Sequence, residues 1–236
     1  MIVAESISKS YGKLKALNGI SVACNNGQTI SLIGPNGSGK TTFIKCVLGM
    51  VLPDSGSISF DGADIARSWN YRSGIGYMPQ IGRYPENMTI GQVFDMMCDL
   101  RKIKMADADT ELYHAFGLDN ILGKRMRALS GGTRQKVSAS LAFLFHPRVF
   151  VLDEPTAGLD PLSVEVLKAK IMKEKEQGKL VLITSHILSD LDDLVTEVIY
   201  LLDGNLLFHK SILQLRRDTG EQKLSKAIAH VMKGHG

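Results

Sequence analysis

The sequence predicts an α/β domain with a mainly parallel central sheet, an antiparallel β layer from its N-terminal strands, and a helical block between two sheet-forming regions. Three observations predict it. Val149-Phe150-Val151-Leu152 and Val181-Leu182-Ile183 are wholly apolar runs, as expected of central strands covered on both faces. Residues 2–30 read as strands broken at Tyr11-Gly12-Lys13 and Asn25-Asn26-Gly27, a pattern of paired short strands. Between these regions, a Gly-rich segment joins a β-rich run to an amphipathic helix.

Taken in order, Thr29-Ile30-Ser31-Leu32-Ile33 is the β-rich run. After the Gly-rich segment, Phe43, Ile44, Val47 and Leu48 recur at helical spacing until Gly49 and Pro53 end the helix. Ser57-Ile58-Ser59-Phe60 with Asp61-Gly62 is a strand and turn, and Gly74 to Gln80 is a strand ending in a polar tip. From Thr89 the character is helical. Thr89 and Gln92 have capping-box spacing, and Val93, Met96, Met97 and Leu100 form an apolar stripe. The methionines read as core fillers rather than metal ligands. Helical pattern continues through Ala108–Phe116 and again after Leu129, so residues 87–147 are expected to form a helical subdomain. Asp160-Pro161 opens a further helix, with Asp as N-cap and Pro in the first turn. Val198–Leu202 and Leu206–Phe208 flank Asp203-Gly204-Asn205 as a hairpin. The expected organisation is one domain over 1–210 and a short helical tail over 211–236.

Composition narrows the function. The 236 residues carry 28 Lys and Arg against 24 Asp and Glu, a net charge of +4 that does not by itself argue for nucleic acid. The three cysteines, Cys24, Cys46 and Cys98, lack metal-ligand spacing and form no disulfide framework, which favours a reducing cytosolic setting. No stretch approaches the roughly 20 apolar residues of a membrane span, and the N-terminus lacks a signal peptide's basic and apolar regions. Any membrane role is therefore expected of a partner chain.

The chemistry begins at Gly34-Pro35-Asn36-Gly37-Ser38-Gly39-Lys40-Thr41-Thr42. It fits the phosphate-loop pattern G-x-x-x-x-G-K-[ST]. Such a loop turns backbone N–H groups inward on a polyphosphate, and the helix that follows adds its positive N-terminus. Lys40 would reach the β- and γ-phosphates, and the Thr41 hydroxyl would ligate Mg²⁺. A second piece is Asp153-Glu154 after the apolar strand. Two carboxylates delivered to a strand's C-terminal edge stand where α/β sheets bind ligands. Asp153 would hold Mg²⁺ and Glu154 would act as general base toward water. Alone, the pair reads better as an acidic start to the following turn; the phosphate loop in the same chain tips the reading. A third piece, Leu129-Ser130-Gly131-Gly132-Thr133, enters the helix carrying Val137, Leu141 and Leu144. One nucleotide does not need two cradles so far apart, so this one is expected to serve the nucleotide held by a second copy.

With these motifs in this order, the sequence resembles the ATP-binding-cassette (ABC) ATPases over nearly its whole length, which implies the P-loop NTPase core of that fold. Tyr11 matches the aromatic residue that stacks on adenine, and residues 34–42 match the phosphate loop, Gly34 to Thr42. Gln80 matches the glutamine that senses Mg²⁺ and the catalytic water. Ser130, Gly131 and Gly132 match the signature, "VFVLDEP" at 149–155 the acidic strand motif, "AGLD" at 157–160 the dimer-contact loop with Asp160, and His186 the switch histidine. The signature usually ends in Gln, and Thr133 stands there. The resemblance implies ATP and Mg²⁺ as ligands, with Mg²⁺ at Thr41, Gln80 and Asp153, and catalysis by Glu154, His186, Gln80 and Lys40. It also implies a head-to-tail homodimer, an integral-membrane permease as partner, no nucleic acid, and a peripheral place on the cytoplasmic face of the membrane.

Within the family the segment after Gln80 and the short tail look most like subunits of exporter-type permeases (the ABC-2-like group). The chain is also similar there to subunits linked to copper-enzyme maturation in nitrous oxide respiration. The alternative is a soluble cassette ATPase of translation or DNA repair. DNA-repair members carry long coiled-coil insertions before the signature, whereas about 90 residues without heptads separate loop and signature here. Translation members usually carry two cassettes, and this chain has one. A non-hydrolytic scaffold is opposed by the presence of Lys40, Glu154 and His186.

Overall fold

A computed structural model describes residues 1–185 and 193–233, which form two compact units. The first comprises Met1–Ser73 and Lys175–Gly236, the second Gly74–Glu174.

The first unit contains the N-terminal antiparallel layer. β1 (Ile2–Tyr11) pairs with β2 (Leu14–Cys24) and with β4 (Ser55–Phe60), to which the short β5 (Ala63–Asp64) is added. The first two strands are longer than the short strands expected, because bulges at three points let β1 bend without losing its partner. Alongside, β3 (Thr29–Ile33) lies parallel to both β8 (Leu180–Thr184) and β9 (Glu197–Leu202). Every residue of β3 and β8 is buried; this suits the unbroken apolar run Leu180–Ile183 in β8, while β3 buries Thr29 and Ser31 along with its apolar residues. β10 (Asn205–Ser211) returns antiparallel to β9, as the Asp203-Gly204 turn foretells. α1 (Lys40–Val47) follows β3 and buries Phe43, Ile44 and Val47, with Leu48 at its end. The tail forms α6 (Ile212–Thr219) and α7 (Leu224–Lys233), anchored by buried Ile212, Leu215, Leu224, Ala227 and Ile228.

The second unit opens with β6 (Ile75–Met78), parallel to β7 (Val149–Asp153) in a register that sets Ile75 opposite Val149 and Met78 opposite Leu152. α2 (Ile90–Arg101) begins with the capping box foreseen: Thr89 Oγ1 accepts from Gln92 N, and Gln92 Oε1 from Thr89 N. The expected stripe is displaced. Ile90, Val93, Phe94 and Cys98 are buried, whereas Leu100 is exposed. The buried set follows i, i+3, i+4, i+8 spacing from Ile90, and Leu100 falls outside that arc. α3 (Glu111–Ala115) is a single turn within the helical region expected over 108–116. α4 (Gly131–Phe143) buries Val137 and Leu141 with α2's apolar face, and Leu144 joins the same cluster. α5 (Pro161–Glu176) starts where Asp160-Pro161 predicts.

Candidate functional site

In the first unit the phosphate loop leaves β3 at Gly34 and enters α1 at Lys40. The loop is pinned on both sides. A Cβ at Gly34, where φ is 148°, would lie 2.1 Å from the Leu201 carbonyl oxygen; one at Gly39, with φ 102°, would lie 2.4 Å from that of Ala16. No other residue type fits either position without moving backbone. Gly204 N donates to Ser38 O at 3.2 Å, tying the β9–β10 turn to the loop. Lys40 is buried and its ammonium donates to the carbonyls of Gly34 and Pro35, at 2.7 and 3.0 Å.

Features of this loop suit a polyphosphate. α1 starts from Gly39, which makes no side-chain cap, and its N-terminus carries the positive end of the helix dipole. Ser38 Oγ is buried yet has no hydrogen-bond partner among the described residues, a defect that an anion's oxygens would relieve. Pro35, Asn36 and Gly37 are exposed, as is Thr41, while Thr42 is half-buried. Tyr11 closes β1 with its ring exposed and the Lys9 ammonium 5.8 Å above it.

In the second unit, register does the positioning. Two residues beyond Met78 on β6 is Gln80, and two residues beyond Leu152 on β7 is Glu154. Both side chains emerge at the same C-terminal edge, and Gln80 Nε2 donates to Glu154 Oε2 at 3.0 Å. Glu154 has φ 51°, a left-handed backbone unusual outside glycine and often found at functional sites. Asp153 ends the strand half-buried. Burial, with a contribution from Asp153, raises the Tyr77 phenol above its ordinary range, which keeps it neutral.

The signature lies at the start of α4. Ser130 is its N-cap: its Oγ accepts from Thr133 N at 3.2 Å and lies 2.9 Å from Thr133 Oγ1. Thr133 is thus hydrogen-bonded to Ser130 through both its backbone and its hydroxyl. Gly131 is exposed with open space around it. Gly132 is close-packed: a Cβ there would lie 2.7 Å from the Gly158 carbonyl oxygen.

Asp160 caps α5, accepting from Ser163 N and Oγ at 2.9 and 2.7 Å, and pairs with Lys136 at 2.8 Å. Lys136 and then Ser163 hold its carboxyl well below the usual carboxylate range. Sequence reading assigned Asp160 to a dimer contact and gave Lys136 no role. The pair joins residues 24 positions apart, a separation with no local sequence signal. His186 lies outside the described residues.

Each unit carries hard oxygen donors: the Thr41 hydroxyl in the first, the Asp153 carboxylate and the Gln80 amide oxygen in the second. Among the described residues no group of three or more His, Cys, Asp or Glu is placed to cage a metal. Oxygen donors of this kind suit Mg²⁺, which takes one or two protein carboxylates and keeps water and phosphate oxygens.

Comparison with known proteins agrees with this architecture. Residues 17–157 match the family described as ABC transporter. The chain is 35% identical over 193 residues to the lipopolysaccharide export system ATP-binding protein LptB of Haemophilus influenzae, covering 79% of this chain and 80% of that one. It is 30% identical over 215 residues to the lantibiotic transport ATP-binding protein SrtF of Streptococcus pyogenes, covering 89% and 90%. A solved structure of the ATP-binding subunit of an ABC transporter superposes with a TM-score of 0.91 at 26% identity, covering 98% of this chain and 99% of that one. By these matches the chain belongs to the ABC transporter family as an ATP-binding cassette subunit.

Proposed function

We propose that the protein hydrolyses ATP to drive a membrane permease, with two copies closing head-to-tail around two nucleotides. The observation that carries this reading is the Gln80–Glu154 hydrogen bond at the strand edge. It holds a carboxylate beside an amide, a pair able to orient and deprotonate one water.

In this mechanism Tyr11 stacks on adenine, and the backbone from Gly34 to Gly39 with Thr42 holds the phosphates. Lys40 exchanges its loop carbonyls for β- and γ-phosphate oxygens. Thr41, Asp153 and Gln80 would hold Mg²⁺, which would neutralise phosphate charge. Glu154 takes a proton from water as the water oxygen bonds to the γ-phosphorus. The bond from that phosphorus to the β–γ bridging oxygen breaks, and the electron pair leaves with ADP. His186 contacts the γ-phosphate. Ser130, Gly131 and Gly132 seal the nucleotide of the opposite copy, and Asp160 belongs to the surface facing that copy.

The permease reading draws on the transporter roles named for LptB and SrtF, and the export direction on the name of the former. It places the protein peripherally on the cytoplasmic face of the membrane. Among the described residues no helix is long and apolar enough to cross it. Organisation as one cassette over 1–210, with a helical subdomain at 87–147 and a tail from 211, belongs to the same reading. The narrower link to copper-enzyme maturation rests on sequence resemblance alone. Affinity purification from native membranes tests both. A co-purifying integral-membrane permease supports the transporter reading, and a permease encoded apart from copper-related genes removes the copper link. A soluble ribosome-bound or DNA-bound form would favour the alternative.

A further inference from the structure

The Ala157–Asp160 turn and the first turns of α4 are tied to each other at two places. Gly132 approaches the Gly158 carbonyl so closely that a Cβ would lie 2.7 Å from it. One turn along α4, the Lys136 ammonium lies 2.8 Å from Asp160 Oδ2. The same carboxylate takes both donors of Ser163, its backbone N–H and its hydroxyl, at 2.9 and 2.7 Å. Lys136 is itself steered, with its ammonium 5.9 Å above the half-buried Phe116 ring. The turn is also drawn back on itself, since Ala157 N donates to Glu154 O at 3.1 Å and Leu159 N to Thr156 O at 3.2 Å.

We infer that Lys136 is a positioning residue. Through Asp160 it locks the Ala157–Asp160 turn to the Ser130–Gly132 helix entry, so that both are presented to the second copy as one rigid face. This rests on the reading of those two segments as the surface that closes over the partner's nucleotide. Its physical basis is preorganisation. Two segments already held in mutual register lose less freedom on association than two that must be ordered separately. A charge-assisted bond to a carboxylate with three donors suits that task better than a neutral contact. Lys136 touches no nucleotide in this scheme, so its removal acts on closure and leaves capture by the phosphate loop intact.

The test is ATP-driven dimerisation, followed by light scattering in the Glu154→Gln background, with and without Lys136→Met. The expected result is a rise of about 3- to 10-fold in the ATP concentration at half-dimerisation, the scale of a part-exposed charged hydrogen bond. Binding of a fluorescent ATP analogue to dilute monomer should stay unchanged, and Lys136→Arg should restore most of the loss. Should Lys136→Met fold poorly, Lys136→Gln carries the same comparison with a side chain of similar reach. Thermal melts separate the cases: a lower melting point with an unmoved dimerisation midpoint overturns the inference. If the Glu154→Gln protein itself does not dimerise with ATP, the reading beneath falls and takes the inference with it. If it dimerises and the Lys136 variants behave like their parent, only the inference falls.

Discussion

Gln80 Nε2 and Glu154 Oε2 meet at 3.0 Å because two parallel strands run in register and each carries its polar residue two positions beyond its last paired one. The sheet thus aligns a neutral amide with a carboxylate whose own backbone is left-handed, at φ 51°. Glu154→Gln should bind ATP normally and lower steady-state hydrolysis by about 10²- to 10⁴-fold, the range for losing a general base. Gln80→Ala, which keeps the carboxylate and removes the Gln80 amide beside it, should lower kcat less than Glu154→Gln does. Phosphate-release assays check both, and full turnover by Glu154→Gln would remove Glu154 from its proposed role.

Lys40 is buried against the carbonyls of Gly34 and Pro35. Lys40→Ala should cut hydrolysis by about 10²-fold or more, as expected on losing a preorganised charge at phosphate. Unchanged activity in a phosphate-release assay would undo the assignment of this loop.

Thr133 tests how much the unusual fifth signature position matters. Its hydroxyl is 2.9 Å from that of Ser130. Thr133→Val keeps the shape, removes that hydroxyl and leaves the backbone cap. KM for ATP should rise a few-fold, the worth of one neutral hydrogen bond, with the melting point nearly unmoved. Thr133→Ser should behave as wild type.

The Lys170 cluster is a stability determinant apart from the chemistry. Its side chain is 3% exposed, and its ammonium contacts Asp109, Glu111 and Glu174 at 2.5, 2.9 and 2.9 Å. Burial alone would lower its affinity for a proton, but the bonds to these carboxylates outweigh that and raise it. Lys170→Met takes the shared ammonium away from the largely buried Asp109 and Glu174 and should cost about 3 kcal/mol in urea unfolding. Lys173→Met, at the half-exposed Glu111, should cost about 1 kcal/mol or less.

Acid stability follows from carboxyls held low in the fold. Lys173 and then Lys170 lower Glu111, while Lys136 and then Ser163 lower Asp160. The unfolded chain, with carboxyls near 4, binds more protons as pH falls toward that value. The stabilisation from both groups is complete above that range and is lost as pH falls through their folded values. The urea midpoint of wild type should therefore fall below about pH 4.5. The fall should be shallower in a Lys136→Met variant, which gives up the part of Asp160's share that Lys136 supplies and keeps the part from Ser163.

The sequence by itself determined the α/β class, the strand-loop-helix at Gly34–Thr42, the capping box at Thr89 and the cap of α5 at Asp160. The three motifs rest on residues within a few positions of one another, and the class on runs that are each local, where backbone sterics and periodicity act. Tertiary structure alone decided that Leu100 lies outside the core, that Gly132 abuts Gly158, and that Lys136 holds Asp160 while Lys170 gathers three carboxylates. Those relations join residues brought close only by strand register and helix packing, and no local pattern encodes which distant partner a side chain will meet.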